Sequence, residues 1–380
     1  MSLGESTSAF AEKPVTTDAV RGTYYQTDGE RNSSRPRDSP GYFAGTSEGP
    51  ASSLDRLRPR TVIVVKLSCG LDGELIKSPG MSPTGYQSPG YVASLREFGR
   101  PLSLSRTGGF LLERAIPGTA DRDAMGPYPL FCCRDWSALP RDLADLEGRV
   151  VSIVLVTDPF GPDDPTSLAD AFSHGLGRYK DHHVIDLRVP LEQSACPHHR
   201  RNARWALGRL TVEELAEPVQ YLETWCGLYA ELIRRHGLRG MSRFSREAFE
   251  LQFAVPGLVA FRAVDDEGDT VGMLLWYRQG EIGYYHLAAY SETGYATKAS
   301  YALFWSSAVR LRDDLRWLSL GAGAGESCDG TDGLTRFKRG WSTSVRPTYL
   351  GRHVARPDRY EALCGGQGGT GYFPAYREAS

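Results

Sequence analysis

The chain has 380 residues, with 44 Lys and Arg against 46 Asp and Glu for a formal net charge of −2. At roughly 100–200 residues per domain the length allows two ordinary domains, and the near-neutral balance excludes a protein held to nucleic acid or anionic membrane by its overall charge. A hydrophobic content of 41% with 42 Gly and 23 Pro fits a globular, turn-rich chain and excludes a collagen-like or fibrous one.

Residues 1–60 are rich in Gly, Pro, Ser and Thr and carry few aliphatic side chains, so they read as a disordered leader. No apolar run reaches the length of a membrane span, and Met-Ser-Leu-Gly-Glu-Ser lacks the layout of a signal peptide, so a cytoplasmic protein is expected. Seven cysteines without a C-x-x-C pair argue for reduced thiols, with Cys132 and Cys133 buried, rather than for a disulfide scaffold or zinc ribbon.

Ordered structure is expected to begin with the β-branched run Thr61–Lys66, followed by turns at two Ser-Pro-Gly sites. Strands are predicted at Gly109–Arg114, Tyr128–Cys133, Arg149–Thr157 and His183–Val189, the third apolar enough to be buried on both faces. A helix follows over about Pro197–Gly208. Thr211 reads as the N-cap of a long helix carrying Tyr221, Trp225, Tyr229 and Ile233 at four-residue spacing, and Ser245–Phe253 reads as a second helix. Leu258–Val264 and Thr270–Tyr277 form a predicted hairpin, and Ile282–Ala289 the next strand. A helix over Tyr295–Arg312, a strand Arg316–Leu320, a helix Gly333–Gly340 and a strand near Val345–Val354 complete the pattern. The chain therefore reads as α/β (α+β), with a leader at 1–60, halves at 61–210 and 211–360, and a flexible tail at 361–380.

Arg200, Arg201 and Arg204, with His198 and His199, form the densest basic cluster, placed to meet the phosphates of an RNA end or a nucleotide, with Trp205 available for stacking. Cys196-Pro-His-His199 invites a metal reading, but it is the one cluster present and the nearby His182-His183 would need the chain to fold back to complete it, so no metal is expected. On strand Ile282–Ala289, His286 and Tyr284 are predicted on one face, with Tyr285 and Leu287 on the other.

Four segments carry a resemblance. Gly283-Tyr-Tyr-His-Leu-Ala-Ala-Tyr-Ser291, Gly294-Tyr-Ala-Thr-Lys-Ala-Ser300, Leu318-Ser-Leu-Gly-Ala-Gly323 and Gly333-Leu-Thr-Arg-Phe-Lys-Arg-Gly-Trp341 resemble the C-terminal half of FemAB-like N-acyltransferases of the GNAT superfamily. The similarity extends, more faintly, to Gly126-Pro-Tyr-Pro, Lys180–Leu187 and Arg200–Arg204 in the first half. It implies tandem GNAT-like halves, each a mixed, mainly antiparallel sheet flanked by helices, and transfer of an acyl group to an amine on a small molecule or peptide. The implied co-substrate is acyl-CoA or, as the alternative, an aminoacyl-tRNA, with no bound cofactor. A third reading is a catalytically silent GNAT-like binding module.

The resemblance also implies site residues. Phe337 and Lys338 match the Phe-Lys pair of Fem-type enzymes, where the cation lies near the reacting groups and suits a developing oxyanion. His286 is the candidate base. Ser291, Gly294, Tyr295, Ala296 and Lys298 occupy the donor-binding loop, where Ser291 replaces the usual Gln or Arg and Glu292 adds a negative charge.

Overall fold

The computed structural model describes residues 82–162, 164–323, 332–365 and 372–378. The leader and the run Thr61–Lys66 lie outside the described residues. The strands are β1 (Arg100–Ser103), β2 (Phe110–Ala115), β3 (Arg122–Met125), β4 (Ser152–Val156), β5 (Leu176–Asp186), β6 (Thr211–Glu214), β7 (Leu258–Val264), β8 (Thr270–Gln279), β9 (Ile282–Tyr290), β10 (Trp317–Gly321) and β11 (Ser344–Val354). Among the described residues they form one 11-stranded sheet in the order β1-β2-β3-β4-β11-β5-β10-β9-β8-β7-β6. The sheet is mainly antiparallel, but β3 runs parallel to β4 and β10 parallel to β9. The last strand thus lies inside the first half, antiparallel to both β4 and β5.

The helices are α1 (Pro89–Ala93), α2 (Leu139–Ala144), α3 (Leu191–Ser194), α4 (Pro197–Leu207), α5 (Leu222–His236), α6 (Arg246–Phe253), α7 (Glu292–Ala296), α8 (Ala299–Leu311), α9 (Gly333–Trp341) and α10 (Pro357–Cys364). The alternation of β8 sorts them onto two faces. Met273, Leu275 and Tyr277 pack with Trp225 and Tyr229 of α5 and Phe249 of α6. Leu274 and Trp276 pack on the opposite face with Ala203 of α4, Phe304 of α8 and Trp341 of α9. Each fully buried aromatic of this kind contributes on the order of 2–3 kcal/mol. A third core lies around β2, β4 and α2.

Several expectations are corrected. Thr211 opens β6 and pairs with Val264 rather than capping a helix. Val212 buries its side chain at the sheet, and Pro218 confines the helix to residues beyond it, so α5 starts at Leu222. The run Tyr128–Cys133 is irregular, with a single bridge from Phe131 to Thr157, since Pro129 has no N–H to give a ladder. Strand β5 begins seven residues before the predicted start. The helix predicted over Tyr295–Arg312 is two helices, α7 and α8, because Lys298 takes the left-handed conformation (φ +56°) between them.

Part of the segment read as a flexible tail is packed. Arg377 is buried against Asp123, which also accepts from Arg114 Nε at 3.0 Å and Tyr376 Oη at 3.2 Å. Arg356 and Arg359 pair with Asp121 beside it. No helix of the described residues is long and apolar enough to cross a membrane, and they hold no cluster of metal-ligating side chains. Their five cysteines, Cys132 and Cys133 among them, are thiols.

Candidate active site

Strands β9 and β10 pair at Ile282–Trp317, Gly283–Leu318 and Tyr284–Ser319. Beyond that point β9 continues along β8 to Tyr290, and β10 turns to β5, where Gly321 faces His183. The two strands part, and a cleft opens between them. Its walls are Tyr285–Ala288 of β9, Ser319–Ala322 of β10 and beyond, Leu334, Phe337 and Lys338 of α9, and Tyr86 and Tyr128–Leu130 of the first half.

The parting coincides with a β-bulge. Tyr285 faces Trp276 and Leu287 faces Leu275, so His286 is the extra residue. The bulge resets the alternation. Tyr284 and Leu287 join the same core, whereas sequence alternation places Leu287 with Tyr285 on the opposite face. His286 itself is saturated: Nδ1 lies 3.2 Å from Tyr86 Oη and Nε2 3.0 Å from Gln252 Oε1. Burial lowers its pKa to about 3, which keeps the ring neutral and suits a structural imidazole better than a base.

Helix α9 starts at Asp332, whose side chain accepts from Thr335 N at 2.9 Å. Its inner face carries Leu334, Phe337, Lys338 and Trp341, with Arg336 and Arg339 outside. Lys338 is only 6% exposed. Its Nζ donates to Ala322 O at 2.6 Å and lies 5.9 Å from the centre of the Tyr285 ring. Desolvation, with Lys180 nearby and Asp332 opposing, lowers its pKa to about 7. The cleft therefore has at its base an amine able to carry a charge near neutral pH, with donor capacity left beyond the single carbonyl.

The loop Ser291–Lys298, expected from the resemblance to bind the donor, is built differently from an open anion cradle. Ser291 Oγ accepts from Gly294 N at 3.2 Å and donates to Val271 O at 3.3 Å. A Cβ on Gly294 would stand 2.0 Å from Val271 O, so this glycine is needed for close packing on β8. Tyr295 lines the cleft, Ala296 is exposed, and Lys298 Nζ reaches Asn202 Oδ1 of α4 at 3.0 Å. That contact brings the loop after β9 beside the basic helix. Arg201 and Trp205 lie one helical turn apart on α4, Lys298 Nζ lies 5.2 Å from the Trp205 ring, and Arg209 stacks on it at 3.9 Å. Arg204 is exposed, and Arg200 turns to the carbonyl of Glu192.

Two groups beside the cleft are not among the residues the sequence singles out for this site. Asp158 is buried and accepts from Tyr284 Oη at 2.7 Å and Phe160 N at 2.9 Å, with Cys132 Sγ at 3.4 Å; burial raises its carboxyl above the ordinary range. His182 lines the cleft from β5. The signal for it is the alternation Lys180, His182, Val184, which sets polar side chains on a buried strand face.

No family model matches the chain, and no curated protein sequence does. Solved structures do match. FemX superposes with a TM-score of 0.54 at 14% identity, over 74% of this chain and 95% of that one. The C-terminal domain of a protein designated a lysylphosphatidylglycerol synthetase, from Agrobacterium fabrum, gives 0.52 at 16% identity, over 72% and 91%. At these identities the likeness is one of fold. With its mixed sheet, its parted parallel pair β9 and β10 and helices on both faces, the described part of the chain shares the fold of FemX.

Proposed function

We propose that this protein is an amide-forming transferase that moves an acyl group from an activated carrier to an amine. The observation that carries this reading is the Lys338 amino group, buried at the base of the gap where β9 and β10 part. The donor carbonyl lies along the edge of β9 beyond Tyr284, whose backbone groups there have no partner strand on the β10 side among the described residues. The amine attacks the carbonyl carbon, and the Lys338 ammonium donates to the oxygen as it becomes negative. Collapse of the adduct expels the carrier's oxygen or sulfur, which leaves with the proton the amine loses. His286 holds Tyr86 and Gln252 and takes no part in proton transfer.

For the carrier, an aminoacyl-tRNA is favoured over acyl-CoA. The Gly294 N–H that a pyrophosphate would use is taken by Ser291, and Glu292 opens α7 with a negative charge. Arg201, Trp205 and Lys298 supply cations and a stacking ring at the same edge of the molecule. Acyl-CoA is the second reading, supported by the absence of any Asp or Glu among the described residues lining the cleft, which leaves a donor α-ammonium without a counter-charge.

The test is amide formation from radiolabelled acetyl-CoA, longer acyl-CoAs and a charged tRNA pool, each with mixed amine acceptors. Transfer from charged tRNA supports the first reading, and transfer from one acyl-CoA the second. Transfer from neither, with the chain folded, rejects the transferase reading.

A further inference from the structure

The cleft is lined by three imidazoles, those of His182, His236 and His286; His236 Nε2 lies 3.3 Å from Tyr295 Oη, and the other two differ in what they have left to give. Both nitrogens of His286 are engaged by protein groups. His182 also lines the cleft and is only 8% exposed, yet its Nδ1 is buried and has no hydrogen-bond partner among the described residues. A buried polar atom without a partner costs a fold stability, and such atoms are rare in native proteins.

The place of this atom is specific. His182 lies on β5, the strand between β11 and β10, and its neighbour His183 faces Gly321 of β10, two residues past Ser319, the last to pair with β9. Lys338 lies on the adjoining wall, where a Cβ on Gly321 would be 3.2 Å from its Nζ. The geometry points to His182 as the residue that contacts the acceptor amine, opposite the Lys338 that contacts the donor carbonyl. The assignment rests on the transferase reading above.

The chemistry is consistent. An attacking amine must reach the carbonyl uncharged with its lone pair free, and a protonated imidazole beside it would donate a hydrogen bond to that lone pair. Burial, with Lys338, Lys180 and His183 close by, keeps His182 neutral, lowering its pKa to about 3. A neutral ring nitrogen accepts a hydrogen bond from the amine N–H and aims the lone pair at the carbonyl, and it does so at any working pH. The partner missing from the fold is then supplied by the substrate.

His182→Phe removes the nitrogen and keeps a flat ring, whereas His182→Asn keeps a polar atom near the Nδ1 position. The readouts are the melting midpoint without substrate and steady-state kinetics with glycylglycine as the amine probe. The donor is whichever of acetyl-CoA and alanyl-tRNA the wild-type chain uses. We expect His182→Phe to melt no lower than wild type and to raise the KM for glycylglycine at least tenfold, with the donor KM within twofold. His182→Asn is expected to bring the amine KM back to within threefold of wild type. Unchanged amine kinetics in His182→Phe overturn the assignment, as does a lower midpoint with equal losses toward both substrates and no recovery in His182→Asn. Should His182→Phe fail to fold, the amine KM of His182→Asn decides: within threefold of wild type supports the assignment, and a loss shared with the donor overturns it. A wild-type chain inert toward both donors overturns the transferase reading itself and this assignment with it.

Discussion

Lys298 Nζ donates to Asn202 Oδ1 at 3.0 Å, and this bond joins the loop that follows β9 to helix α4. Residues almost a hundred positions apart thereby form one surface, in which Lys298 and Arg209 both approach the Trp205 ring. A nucleic acid seated on the cleft would meet cations and a stacking ring together.

Replacing Arg201 by Glu and Trp205 by Ala is therefore expected to weaken tRNA binding at least tenfold. Each lost phosphate contact lowers the slope of log K against log salt by about 1. Acyl-CoA binding should be unaffected. Fluorescence titration at several salt concentrations reads both, and an unchanged tRNA affinity and slope would remove α4 from the donor site.

Lys338→Met is expected to lower kcat/KM by roughly 10² to 10³, the scale of losing one donor to an oxyanion. The same change should stabilise the fold. Lys338 has a pKa of about 7 in the native state against an ordinary 10.5, so between these values the unfolded chain binds more protons. Its penalty is full below about pH 7 and fades as pH rises toward 10.5. The melting midpoint of Lys338→Met should accordingly exceed wild type by several degrees, on the order expected for a few kcal/mol, at pH 6 and by less at pH 9.5. Calorimetry at the two pH values checks the sign.

Gly294→Ala should destabilise the protein by about 1–3 kcal/mol, because the new Cβ would run into Val271 O. Ser291→Ala removes the cap on Gly294 N and should cost about 1 kcal/mol. Denaturant midpoints measure both. A neutral Gly294→Ala with a raised donor KM would return Gly294 to a phosphate-binding role.

Much of this site was legible in the chain. Ile282–Ala289 announces β9 by its apolar run, and the Phe337-Lys338 pair carries the resemblance that locates the cleft. The bulge at His286 was not legible, since it exists only in the pairing of β9 with β8, and the simple alternation therefore misplaces Leu287. Thr211-Val-Glu-Glu suits a capped helix as well as an edge strand, and only its pairing with β7 decides. His182 was read with its neighbour as a metal possibility, because a missing hydrogen-bond partner is a property of the folded surroundings and not of the residue.

At Asp123, one buried carboxylate serves two buried guanidiniums, those of Arg114 and Arg377. Asp123→Ala should leave both uncompensated and destabilise by about 3–5 kcal/mol. Arg377→Met should cost less, because a one-to-one pair with Arg114 survives. Chemical denaturation of the two variants tests the order, and equal losses would mean that the C-terminal contact itself dominates.

The position of β11 has a consequence for how the molecule is made. Strands β4 and β5 do not touch each other; each pairs with a strand that is synthesised some 150 to 200 residues later, on the general rule that long-range pairing is slow to form. Until residue 354 has left the ribosome, both edges stand open to whatever strand comes near. A fragment ending after α4 should aggregate where the full chain folds, because its strands wait for partners from the end of the chain.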